Sequence, residues 1–285
     1  MSLAVVTVAT ANVLPELKLW LASVKKYVSD AVYIVTAIPA AELPGATTIP
    51  FSEPFDFVRM CWQRTHALRT ALKDHDAALY ADTDILFLQQ WQPCMPKNKV
   101  TLSKHYCNEW THSNYGYYNS GYVGVTRDTL DFCDWWEAQP QWKPGAYGEQ
   151  QCLDNWDAAR RALFPEQHNV GWWRLNNKEE SAKFELKLTN GVIEYNGAPL
   201  TSIHSHLMTV GFTPLNLKLA WNFNEKLFEL LELSKQYNDF LRLAQPRNVA
   251  TPARYEGHRS NEIVKQHRQR RALQVQPRII RRFPT

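Results

Sequence analysis

Ala77-Ala78-Leu79-Tyr80-Ala81-Asp82-Thr83-Asp84-Ile85-Leu86-Phe87-Leu88 is the stretch on which the reading of this chain turns. Its apolar residues make the strongest strand pattern in the sequence, and two acids interrupt it. Carboxylates at i and i+2 on an extended chain project to the same side. Burying them unpaired costs several kcal/mol, so a cation is expected beside Asp82 and Asp84. Oxygen ligands with no Cys or His immediately alongside suit Mg²⁺ or Mn²⁺, ions that complete their shell with phosphates. The D-x-D tripeptide alone says little; aspartates capping the turn after a strand are the plain alternative.

Working outward, Leu3 to Ala9 is a buried strand and Pro15 to Tyr27 a helix with Leu17, Trp20, Leu21 and Val24 on one face. Val32 to Thr36 and Thr47 to Pro50 are further strands, each bounded by Pro or Gly. Asp56 to Lys73 carries its apolar residues at helical spacing and runs into the quoted strand. This order over the first 90 residues gives βαβ units and a mostly parallel sheet, a Rossmann-like half suited to a nucleotide. Downstream, Val100 to Lys104 and Gly121 to Thr126 read as strands, and Thr129 to Ala138 and Glu149 to Leu163 as helices. Strands from Lys183 to His206 alternate with Asn190-Gly191 and Asn196-Gly197, which read as hairpin turns. A last helix spans about Leu215 to Leu243.

The 285 residues are 45% apolar and 21% charged, enough core for one large domain or two small ones, and disorder, collagen and coiled coil are excluded for most of the chain. No apolar stretch approaches the roughly 20 residues that cross a bilayer. Five cysteines, an odd number without a C-x-x-C pair, point to reduced thiols and a cytoplasmic protein. The net charge of +4 conceals an asymmetry: residues 247–285 hold ten Lys/Arg and two acids, a tail of +8 behind a body of −4. Such a tail suits an anionic surface, the periphery of a membrane or nucleic acid, against the plainer reading of a solvated extension.

Three further segments carry polar groups in places that chemistry uses. Tyr117-Tyr118-Asn119-Ser120-Gly121 sets small polar residues between aromatics and a strand, as a polyhydroxylated ligand resting on backbone requires. Gly148-Glu149-Gln150-Gln151 puts a carboxylate and an amide at a helix start, where Glu149 equally serves the dipole. Ile203-His204-Ser205-His206 ends a strand with two imidazoles on one face, a source for a third metal ligand. Of eleven tryptophans most belong in the core, while Trp110 and the Trp172-Trp173 pair flank these segments in expected loops and are candidates for sugar stacking.

The order of these segments, covering residue 3 to about 212, resembles the GT-A glycosyltransferases, most closely the glycogenin-like and lipopolysaccharide galactosyltransferase-like group. The likeness rests on Arg59, Arg64 and Arg69 ahead of Tyr80 to Asp84, then Tyr118 to Gly121, Glu149-Gln150 and His206. It implies an α/β GT-A fold: a Rossmann-like mixed sheet flanked by helices, with a C-terminal helix and basic tail. Residues 1–246 would form the transferase domain, about 1–90 binding nucleotide and about 91–246 binding sugar and acceptor, with 247–285 the tail. It also implies Mn²⁺ (or Mg²⁺) held by Asp82, Asp84 and His206 as the DXD centre. The donor would be a nucleotide-diphospho-sugar of UDP type, transferred with retention to a glycan, lipid-linked or nucleic-acid acceptor. Asn119 and Glu149 would bond sugar hydroxyls, and Gln150 would lie beside the anomeric carbon. Thr7, Ala9, Thr10, Asn12, Arg64 and Asp82 would line the donor site.

Departures from the group's pattern are Glu149 in place of Asp and an ending reduced to His206, Gly211 and Pro214 with no Lys. Arg64, Lys178 or Lys218 would have to supply the missing phosphate charge, and the choice between His204 and His206 stays open. Rival readings are a nucleic-acid-binding protein, or a DNA-directed transferase, using the tail. A sugar-1-phosphate nucleotidylyltransferase ranks lower, because Val8 to Val13 has neither Gly nor a basic residue for a triphosphate. A lectin-like module would not need Asp82 and Asp84.

Overall fold

The computed structural model describes residues 1–51, 57–139, 148–205 and 214–234. β1 (Leu3–Ala9), α1 (Leu14–Tyr27), β2 (Val32–Thr36) and β3 (Thr47–Pro50) fall where the apolar runs place them. α2 (Phe57–Ala71) leads into β4 (Ala77–Ala81), after which the chain turns and resumes as β5 (Ile85–Phe87). β6 (Val100–Lys104), α3 (Glu109–Tyr115), β7 (Tyr118–Thr126), α4 (Asp131–Glu137), α5 (Gly148–Gln151) and β8 (Arg161–Leu163) follow. The described chain closes with β9 (Val170–Gly171), α6 (Lys178–Lys183), β10 (Leu186–Thr189), β11 (Val192–Tyr195), β12 (Ala198–Pro199), β13 (Ser202–His204) and α7 (Pro214–Ser234).

Seven strands form one mixed sheet in the order β3-β2-β1-β4-β7-β6-β8. β1, β2, β3 and β4 are mutually parallel, and β7 runs antiparallel to both β4 and β6. Alternation along β1 explains the two covered faces: Ala4, Val6 and Val8 pack with Ala67, Leu68 and Ala71 of α2. Val5 and Ala9 pack with Leu17, Trp20 and Val24 of α1 on the other face. A strand buried on both sides reads as an unbroken apolar run, as β1, β2 and β4 do. A third cluster joins Trp172, Trp173, Tyr195 and Ile203 to Phe223, Leu227 and Leu231 of α7.

The structure departs from the sequence reading at four places. Residues 77–88 are two strands in different sheets: the Ile85 amide bonds to the Asp82 carbonyl at 3.1 Å, closing a turn, and β5 pairs with β13 instead of continuing beside β7. Glu149 to Leu163 is helical only through Gln151, followed by 3₁₀ turns and β8. That segment is pulled out of helix by its polar side chains, since Asp154 accepts from the Tyr117 amide and Asp157 caps Ala159. α3 is unforeseen, a short helix capped by Asn108, whose side chain accepts from the Thr111 amide. Trp172 and Trp173 are core residues and not loop aromatics. Both Asn-Gly turns are as expected, with Asn190, Gly191, Asn196 and Gly197 all at φ between 50° and 80°. The far end of the last helix and the basic tail lie outside the described residues.

Cys94, Cys107, Cys133 and Cys152 are free thiols, and among the described residues no helix is long and apolar enough to cross a membrane. Trp20 is fully buried between α1 and the sheet. Trp20→Ala is expected to lower stability by about 3–5 kcal/mol, through lost burial and the cavity left behind; equilibrium urea unfolding measures it.

Candidate metal centre

Asp82, Asp84 and His204 each present a ligand atom, all within 4.8 Å of one another. Strand pairing makes the cluster. β13 runs antiparallel to β5 with His204 opposite Ile85, and the Ser205 amide bonds to the Asp84 carbonyl at 3.0 Å. The His204 Nε2 lies 2.9 Å from Asp84 Oδ1, and its Nδ1 lies 2.9 Å from Asn169 Oδ1. An amide oxygen only accepts, so Nδ1 carries the hydrogen and Nε2 is the nitrogen directed at the acids. Burial lowers the His204 pKa, but the Asp84 carboxylate beside it, with Asp82 and Glu16 beyond, outweighs burial and holds it above the ordinary value. Two carboxylates and an imidazole of fixed tautomer suit a divalent cation. His204 is thus the imidazole brought here; His206 lies outside the described residues, as does the Lys218 side chain.

Arg64 organises the other side of the site. Its guanidinium is buried and donates to Asp82 Oδ1 at 3.2 Å, Ser120 Oγ at 3.0 Å and Tyr80 Oη at 3.0 Å. It also lies 3.8 Å from Glu149 Oε1. Tyr80 in turn donates to Asp82 Oδ1 at 2.5 Å. Arg69, five residues further along α2, instead pairs with Asp134 and Glu137 of α4, and Lys178 is exposed on α6. Of the two cations proposed to face phosphate whose side chains are described, Arg64 and Lys178, Arg64 is the one whose contacts place it in the centre.

Gly121 is required by this packing. A Cβ there would stand 2.2 Å from Asp82 Oδ2 and 2.9 Å from Asn119 Oδ1. The glycine in Tyr118-Asn119-Ser120-Gly121 thus makes room for Asp82, a use that the sequence reading had assigned to a ligand.

The residues expected at a sugar divide into two kinds. Asn119 is committed internally, its Nδ2 lying 3.1 Å from His105 Nε2 and its Oδ1 accepting from the Gly121 amide at 2.9 Å. Gln150 likewise accepts from the Ser120 amide at 3.2 Å and donates to the Tyr115 carbonyl at 2.8 Å. Glu149 keeps an oxygen, Oε2, buried and without a partner. Burial raises its pKa against the opposing effect of Arg64.

At the sheet edge, Thr7 and Ala9 are interior, 0% and 2% exposed within β1. Thr10 and Asn12 do stand at the open end of β1, their side chains hydrogen-bonded to each other. Trp110, 65% exposed on α3, keeps its candidacy for stacking, whereas Trp173 donates from its indole to the His105 carbonyl at 2.8 Å inside the core.

Sequence reasoning missed Asn169, His105 and Glu16. Asn169 is fully buried at φ 52°, bonds His204 and donates to Ser103 Oγ at 3.0 Å. No spacing marks it. His105 is buried and neutral, its pKa lowered to about 4 by burial.

No family model matches the sequence, and no curated protein matches it. Among solved structures, the backbone is similar to the galactosyltransferase LgtC in complex with donor and acceptor sugar analogues, with a TM-score of 0.48 and 13% identity over 77% of this chain and 95% of that one. It is similar as well to a glycosyltransferase involved in glycosylation of the major capsid of PBCV-1, with a TM-score of 0.48 and 12% identity over 79% and 100% of the two chains. A third similarity is to the glycosyltransferase GlyE of Streptococcus pneumoniae TIGR4, with a TM-score of 0.49 and 12% identity over 84% of this chain and 64% of that one.

Proposed function

We propose that this chain is a glycosyltransferase that binds a nucleotide-diphospho-sugar at the Asp82–Asp84–His204 centre together with Mn²⁺ or Mg²⁺. The observation that carries the reading is the conjunction of that cluster with Arg64 and Glu149 beyond the ends of β1 and β4. A bound divalent ion supplies charge neutralisation for a departing nucleoside diphosphate. The chain's own residues do the rest. Arg64 and Tyr80 fix Asp82, and Asn169 fixes the tautomer of His204. Glu149 Oε2 is the free acceptor for a donor-sugar hydroxyl, while Asn119 and Gln150 hold the Tyr118 to Gly121 backbone in place. Thr10 and Asn12 stand where the nucleoside of such a donor meets the sheet edge. Uridine as the base and retention at the anomeric carbon follow from the family resemblance. A saccharide acceptor is favoured by Trp110, whose exposed ring rides on the helix to which Gln150 bonds.

Asp84→Asn is expected to abolish transfer and the Mn²⁺-dependent part of nucleoside-diphosphate binding, since an amide does not replace an anionic ligand in so small a set. Titration with and without Mn²⁺ measures this; equal enhancement by the metal in both proteins overturns the assignment. Gly121→Ala is expected to push Asp82 off its position and weaken Mn²⁺ binding about tenfold or more. Metal titration beside a melting curve separates this displacement from unfolding.

A further inference from the structure

Glu16 is an acid that the centre described above leaves unused. It lies in the first turn of α1, where an acid ordinarily faces solvent and serves the helix dipole. Here Oε1 is buried and has no hydrogen-bond partner. α1 packs on β5, the strand that begins one residue after Asp84. Leu19, one turn beyond Glu16, borders the third apolar cluster together with Leu86. Stepping back one turn from Leu19 and two residues from Leu86 leads to Glu16 and Asp84 respectively. α1 is tied to β5 where the Phe87 amide donates to Ser23 Oγ at 3.3 Å, and the charged groups whose fields reach the Glu16 carboxyl are Asp84, His204 and Asp82. Burial first, then the Asp84 carboxylate, lifts its pKa to about 8.

An acid buried against two others, with an oxygen unsatisfied, costs stability in the metal-free protein. A divalent cation reverses that balance, because it supplies positive charge and brings waters that need acceptors. Glu16 stands outside the set of ligand atoms lying within 4.8 Å of one another, so it is one step removed from direct ligation. We infer that Glu16 is an additional carboxylate of the Asp82–Asp84–His204 centre, accepting a hydrogen bond from a water held by the divalent cation and strengthening its binding. The inference rests on the cation reading of that centre.

Glu16→Gln keeps the side chain's shape and removes only the charge. Free Mn²⁺ followed by electron paramagnetic resonance, without nucleotide, gives the affinity of wild type, Glu16→Gln and Asp84→Asn, with melting curves recorded in a chelator. Glu16→Gln is expected to bind Mn²⁺ about tenfold more weakly while melting no lower than wild type. Should the amide not be accommodated, Glu16→Ala, which removes the group and its need for a partner, is read the same way. Wild-type affinity in the Glu16 variant, with binding lost in Asp84→Asn, overturns this inference and leaves the centre standing. Equal binding by wild type and Asp84→Asn removes the centre, and this inference with it.

Discussion

The buried guanidinium of Arg64 is the interaction on which the rest of the site depends. It ties α2 to β4 through Tyr80 and Asp82, to β7 through Ser120, and faces α5 through Glu149. A buried cation is tolerable only with its partners in place, and deleting one member of such a pair typically costs about 3–5 kcal/mol. Arg64 therefore forces the acids to converge. Asp82 Oδ1 is taken up by Arg64 and Tyr80, so that carboxylate is oriented before any ligand arrives. Beyond Asp82, His204 lies 2.9 Å from Asp84, and the fields of both act on Glu16. The Asp84 carboxylate holds the His204 pKa above its ordinary value, and burial, then Asp84, raises that of Glu16.

Backbone supplies the second constraint. The parallel run β3-β2-β1-β4 stops at β4; β7 then runs the other way, and its Gly121 carbonyl accepts from the Asp82 amide at 2.9 Å. Without a side chain at 121 the two strands approach closely enough for Asp82 to lie across the gap. Because β5 leaves the large sheet to pair with β13, Asp84 and His204 meet even though they are far apart in sequence. Two sheets thus share a corner at residues 82–84, and the candidate ligands Asp82, Asp84 and His204 lie on that corner.

Much of this was legible in the sequence, and the division between what was and was not has a physical cause. β1, β2, β3 and β6 have the bounds read from the sequence; for β1 and β2 the reason is that strands covered on both faces are apolar nearly throughout. That same continuity concealed the break at Asp82: a run through Leu88 looks identical whether the strand continues or turns into a second sheet. Asp82, Asp84 and Glu149 were singled out from residue type and position, and Arg64 from the family resemblance. Gln150 and Asn119 were found too, yet their amides are spent on Ser120, Tyr115, His105 and Gly121, which only tertiary structure reveals. Asn169 had no signature, since its value lies in adopting a left-handed backbone that Asn tolerates and in meeting His204 across the fold. Trp172 and Trp173 were misplaced because neighbouring aromatics in a segment rich in polar residues resemble a loop; packing against α7 put them inside.

The position of the centre follows from strand order. From β1 the chain moves to β2 and β3 on one side and returns to β4 on the other, which opens a crevice beyond the ends of β1 and β4. α1 covers one face and α2 the other. The crevice accordingly receives Glu16 from the helix on one face and Arg64 from the helix on the other, with Asp82 and Asp84 between them at the end of β4. A cation from one helix and an acid from the opposite one give the pocket charge of both signs. A diphosphate carrying its own divalent ion, as in the proposed donor, would present both signs in return, a closer match to such a pocket than a bare anion or a bare metal.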